Sequence, residues 1–140
     1  MSSLLGSSAA TRKTLEGAVS EVRNCSSLSR AASRIQAVVS QRSTEYHHAS
    51  ALSTAALADG AIVKSDLLAA LRTSLKADRD YLSWARQQRA SGCKPAAQSS
   101  AYNAAFSADQ RAGAAKQAFV QVWNPVAAKY GVPPESPGDI

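Results

Sequence analysis

The stretch Lys64–Arg89, KSDLLAALRTSLKADRDYLSWARQQR, decides how this chain is read. Leu67, Leu71, Leu75 and Leu82 recur at helical spacing, and Leu68 and Ala85 widen the stripe they form. Arg72, Lys76, Arg79 and Arg86 repeat on the same period along another face. The pattern predicts one long amphipathic helix, apolar toward a core and basic toward solvent.

Outward from that helix, the composition points the same way. Of 140 residues 45% are hydrophobic but only 6% aromatic, and about one in five is Ala, the best helix former. Alternating runs of β-branched residues are missing, so no strands are expected. The length suits one domain with a core of its own. Small residues on the buried faces would let helices approach closely.

Met1–Ala10 (MSSLLGSSAA) reads as a disordered N-terminal segment, because it is mostly Ser, Gly and Ala. It lacks the charged start and long apolar core of a secretory signal, so the chain is read as a mature domain or as part of a larger protein. A short first helix is expected over about Thr11–Arg23, capped by Thr11 or Ser8, with Leu15, Ala18 or Val19, and Val22 on its stripe. Asn24-Cys25-Ser26-Ser27 reads as a break, although a continuous first and second helix stays open. The second helix is expected from Ser27 to Ala51, with Leu28, Ala31 or Ala32, Ile35, Val38 or Val39, Tyr46 and Ala49 inward. Arg42 falls near that apolar line and should either snorkel or pair with a carboxylate. Leu52–Gly60 connects to the long helix, which ends at Ser91-Gly92.

A fourth helix should start near Ala97 or Ser99 and carry Tyr102, Phe106, Ala112, Ala115, Phe119 and Trp123 on one face. Pro125 lies inside its pattern and predicts a kink or break near Asn124. Residues 133–140 read as an extended tail, leaving 11–132 as the domain. Short connections make successive helices antiparallel. The expected fold is therefore an all-α, antiparallel four-helix bundle with a short first helix and a Pro-kinked last one. In that arrangement Tyr81, Trp84, Tyr102 and Phe106 form a structural aromatic cluster at one end. Phe119 and Trp123 meet Ile62 and Val63 at the other.

Cys25 and Cys93 are the only cysteines, and no CxxC pair or further soft ligand accompanies them. Antiparallel packing sets the start of helix two beside the end of helix three, which predicts a Cys25–Cys93 disulfide. Closing so long a loop stabilises by roughly 4 kcal/mol in the chain-entropy account. A disulfide implies a compartment outside the cytosol.

The sequence offers little chemistry. His47 and His48 are adjacent and point about 100° apart on a helix, so they do not share one metal. No nucleophile elbow, phosphate loop, dinucleotide fingerprint or acid–His repeat is present. We therefore expect no catalytic residues, no metal and no cofactor. No run of about 18 apolar residues exists, so no membrane span is expected. The formal charge of +6 and pI near 9.7 favour anionic partners in general. Arg72, Lys76, Arg79, Arg86, Arg89 and Lys94 are the candidate anionic-partner surface, with Asp78 and Asp80 interrupting it. Reading nucleic acid would need a recognition helix or exposed aromatics among the charges, so that partner is disfavoured.

Asp80-Tyr81-Leu82-Ser83-Trp84-Ala85, Cys93, Phe119-Val120, Trp123-Asn124-Pro125 and Tyr130-Gly131 together resemble a pattern in Ala- and Arg-rich helical domains of actinobacterial proteins. The resemblance covers about the second half of the chain, plus Cys25. It implies an extracytoplasmic part of a secreted or membrane-anchored protein, and it carries no catalytic residues across. The leading expectation is a non-catalytic extracytoplasmic module that senses or binds a protein, a wall polymer or an anionic surface. One alternative is a cytoplasmic regulatory or nucleic-acid-associated bundle using the basic face. The other is a bundle that binds a small ligand between its helices.

Overall fold

A computed structural model describes residues 1–140. It contains four helices and no strands: α1 Ser2–Arg23, α2 Leu28–Ala51, α3 Gly60–Ser91 and α4 Ser100–Lys129. Short 3₁₀ turns follow at Ala96–Gln98 and Pro137–Asp139. No helix is long and apolar enough to cross a membrane. α3 packs against both α2 and α4, while α1 lies mainly on α2. The start of α2 meets the end of α3 at the Cys25–Cys93 bond, and the Lys64 ammonium near the start of α3 donates to the Leu52 carbonyl at the end of α2, 2.8 Å away.

α1 is longer than its sequence suggested. The first ten residues are helical from Ser2, and Leu4, Leu5, Ser8, Thr11, Leu15, Ala18 and Val22 make one buried stripe along the whole helix. The expected disorder of residues 1–10 and the short first helix are both corrected. The reason is that Ser8 and Thr11, which suit a helix cap, are instead core positions filled by polar side chains. The α1–α2 break falls where it was expected, and Cys25 and Ser27 adopt positive φ to make the turn.

Two glycines are required by close approach or backbone shape. Gly60 opens α3 against the Thr54 carbonyl, and a Cβ there would stand 1.9 Å from that oxygen. Gly92 closes α3 with φ 86°. At the start of α4 the Ser99 hydroxyl accepts from the Tyr102 amide at 3.1 Å. α4 continues through Pro125 to Lys129, so of the kink or break expected near Asn124 the break is absent.

The core has two apolar parts. One holds Leu15, Val22, Ile35, Leu82 and Trp84 near the disulfide. The other holds Leu5, Leu67, Leu71, Phe119, Trp123 and Ile140 at the opposite end. The tail is not simply extended. The Asn124 side chain donates to the Glu135 carbonyl (3.0 Å) and accepts from the Glu135 amide (2.9 Å), in the manner of a peptide group. The 137–139 turn then lies against α1, and the Ile140 side chain is fully buried. Asn124, singled out beside the helical proline, thus holds the tail.

The aromatic expectation is met for four rings and corrected in detail. Trp84 and Tyr102 meet edge to face at 4.9 Å, Tyr81 adjoins both, and Phe106 stacks on Tyr102 at 6.3 Å from the solvent side. The buried stripe of α4 runs through Ala105, Ala108, Ala112, Lys116 and Phe119, which leaves Phe106 exposed. Val63 joins Phe119 and Trp123, but Ile62 faces solvent.

Because Leu5 is sealed between α1 and the far core, Leu5→Ala should lower unfolding free energy by about 3 kcal/mol. Denaturant unfolding checks this. A cost near zero would mean that residues 1–10 do not pack as described.

Candidate functional site

Between the two apolar parts lies a layer of charge. The Arg42 guanidinium on α2 donates through Nε to Asp78 Oδ2 on α3 (3.2 Å) and through an Nη to Glu45 Oε2 (3.1 Å). The same nitrogen donates to the Ser8 hydroxyl on α1. Glu45 Oε1 accepts from Thr11 (2.7 Å) and Ser7 (2.9 Å) on α1. Arg42, Glu45 and Asp78 are 1–2% exposed, so the group is a desolvated ion triad. Arg42 therefore takes the second of the two courses foreseen for it, pairing with carboxylates rather than snorkelling.

α4 contributes Lys116, which is 2% exposed and forms no ion pair of its own. Burial, with Arg12 and Arg42 nearby, pulls its pKa down to about 8. Burial pushes the Asp78 carboxyl upward, against the pull of Arg42. Burial and Asp109 raise the Tyr81 phenol. Sequence reasoning missed Ser8, Thr11, Glu45, Asp78 and Lys116 as members of one layer. The signal was available: on α2, α3 and α4 a charged residue interrupts the apolar stripe at mid-length.

Chemically the layer is occupied with itself. Both Glu45 oxygens accept hydrogen bonds, and the guanidinium is divided among three acceptors. No group of three or more His, Cys, Asp or Glu side chains is placed to hold a metal ion. His47 sits edge-on to Tyr46, while His48 lines a different hollow. Two open grooves of about 330 and 460 Å³ run between α1 and α2, sharing Ser7 and Gln41.

The outer side of α3 is the other candidate. Arg72, Lys76, Arg79, Arg86 and Arg89 are all exposed there, and Lys94 is exposed in the following loop. Lys76 is tied to Asp80, one turn on. Arg86 donates to the Gln36 amide oxygen of α2 at 2.6 Å. Arg72 and Arg79 make no ion pair. Asp78, which seemed to interrupt this surface, points into the core. Glu45 and Asp78 are thus drawn inward and Asp80 toward one lysine, and the outer wall keeps its positive charge.

The cysteines predicted to pair do so: Cys25 and Cys93 are bonded, with Cα atoms 5.8 Å apart and a separation of 68 positions in sequence. Fold and site together define a small all-α bundle clipped by one disulfide, with an ionic layer inside and a basic wall outside. No protein family, curated protein or solved structure matches the chain.

Two predictions follow from the ionic layer. Arg42→Met leaves Glu45 and Asp78 buried without their counter-ion and should cost about 3–5 kcal/mol in urea unfolding. A loss below 1 kcal/mol would mean that water reaches the carboxylates.

The second concerns pH. Lys116 titrates near 8 when folded against an ordinary 10.5, so between those values the unfolded chain binds the extra proton and stability rises with pH. Below pH 8 the full cost is present, about 3 kcal/mol. The deficit of the native protein relative to Lys116→Met should therefore shrink between pH 7.5 and 10. Parallel stability curves for the two would refute the assignment.

Proposed function

We propose that this chain is a non-catalytic, extracytoplasmic binding module whose basic α3 face docks on an anionic partner. The observation that carries the reading is the uncompensated wall of Arg72, Arg79 and Arg86 on a bundle fastened by a disulfide. Surface cations without partners raise the local concentration of anions and speed encounter with them. The disulfide supports a compartment in which thiols stay oxidised. The sequence resemblance to extracytoplasmic actinobacterial domains agrees with that placement.

The ionic layer serves the fold in this reading. Its donors and acceptors are consumed among themselves, which suits positioning better than turnover. The open grooves along α1 and α2 lack the enclosure that holds a small molecule.

The compartment is tested by counting free thiols on protein isolated from its native source, denatured without reductant. No reactive thiol is expected. Two thiols per chain would remove the extracytoplasmic placement and favour a cytoplasmic regulator.

A further inference from the structure

We propose that the wall shared by α2 and α3 is a track for one linear acidic glycan, whose anionic groups seat along Arg72, Arg79 and Arg86. The proposal rests on the anionic-partner reading above and specifies its chemistry. The three arginines stand at heptad spacing on one helix, all exposed. At 1.5 Å per residue they form a nearly straight row about 21 Å long, with a guanidinium about every 10 Å. A linear polymer with repeating charge matches a row better than a compact anion does.

None of the three row arginines is engaged in an ion pair, and the single polar partner, the Gln36 amide oxygen on Arg86, is neutral. The one carboxylate of α2, Glu45, is buried on Arg42. On α3, Asp78 is buried on the same guanidinium and Asp80 is held by Lys76. Guanidinium groups suit carboxylate, sulfate or phosphate oxygens through paired N–H donors.

The surroundings select a glycan over an acidic protein. A stable protein interface is centred on buried aromatic or aliphatic anchors. The large exposed hydrophobic residues are Ile62, Phe106 and Tyr130, and none lies in the row. Ser83 lies between Arg79 and Arg86, and Gln36 stands beside Arg86. Such groups match hydroxyl-rich sugars. At the Arg72 end, Tyr46, Leu68 and Ala69 floor a shallow hollow of about 240 Å³. A tyrosine ring with an apolar floor beside an arginine suits the mixed C–H and hydroxyl faces of a sugar ring. No row of exposed aromatics is present on which nucleic-acid bases would stack.

The test uses the full chain and heparin oligosaccharides of graded length, followed by calorimetry or anisotropy. Affinity should rise with length until the oligomer spans about 20 Å, then level off. Each of Arg72→Gln, Arg79→Gln and Arg86→Gln should reduce the slope of log Kd against log salt by about one.

The decisive variant relocates charge: Arg79→Gln and Arg86→Gln with Gln117→Arg and Gln121→Arg on the exposed side of α4. Its net charge is unchanged, and a circular dichroism spectrum verifies its fold. It should lose at least tenfold in affinity for the long oligosaccharide. Equal binding of the shortest and longest oligomers overturns the track while leaving the anionic-face reading intact, whereas native-like binding by the relocated variant overturns both the track and the α3 face as the docking surface. Tighter binding of polyglutamate or duplex DNA than of heparin overturns the choice of a glycan alone. Failure of the native chain to bind any of the three polyanions overturns the anionic-face reading itself.

Discussion

One guanidinium shared by two carboxylates, in a place water does not reach, is the constraint around which this bundle is arranged. Arg42 can be buried only where Glu45 and Asp78 both meet it and where hydroxyls take up the remaining donors and acceptors. That condition fixes heights. Ser8 on α1, Arg42 on α2 and Asp78 on α3 must lie at one level. A slip of one turn between any two of these helices would strand a charge in apolar surroundings, whereas a slip between purely apolar stripes of Ala and Leu would cost far less. In a chain so rich in Ala, the apolar surfaces alone specify register weakly. The ionic layer supplies the specificity that small side chains lack.

The layer does not achieve this by strengthening the fold. Lys116 titrates below its ordinary value and Asp78 above its own, both chiefly through burial. Each shift means that the folded state disfavours the charged form relative to the unfolded chain. Stability has to come from elsewhere. The two apolar clusters on either side of the layer provide it, together with the disulfide at one end and the Ile140 plug at the other. The two covers are unlike. The cysteine bond restricts the unfolded chain across 68 residues. The tail acts through packing and through the peptide-like clasp of Asn124 on Glu135.

The all-α class, the long basic helix and the pairing of the cysteines were legible because each depends on periodicity or on which helix ends meet. Three things were not. The first turns of α1 were hidden because Ser8 and Thr11 occupy core positions, and hydrophobic periodicity counts a hydroxyl as a gap. The ionic layer was hidden for the same reason on each helix separately. Arg42 alone suggests a surface residue leaning inward, and only the coincidence of Arg42, Asp78 and Lys116 at mid-length on three helices shows a shared level. The tail was hidden because its anchor is a side chain imitating a peptide bond, a long-range feature with no local signature. Leu4 and Leu5 did carry a usable hint, since two leucines in a Ser- and Gly-rich opening stand four and three residues before Ser8, and Thr11 follows one helical step later.

The buried layer and the basic wall are two sides of one distribution of charge. α2 and α3 together carry four acids: Glu45, Asp66, Asp78 and Asp80. Two are drawn into the core by a single arginine, a third is held by Lys76, and Asp66 near the start of α3 forms no ion pair, which leaves Arg72, Arg79 and Arg86 on the outside without an ion-pair partner. In the linear sequence the same stretch looks mixed, with Lys76-Ala77-Asp78-Arg79-Asp80 alternating in sign. Folding sorts it, because residues 78 and 79 point to different sides of one helix. The net charge of the chain sets the sign of its partners, but the surface they meet depends on Arg42 turning its two carboxylates inward.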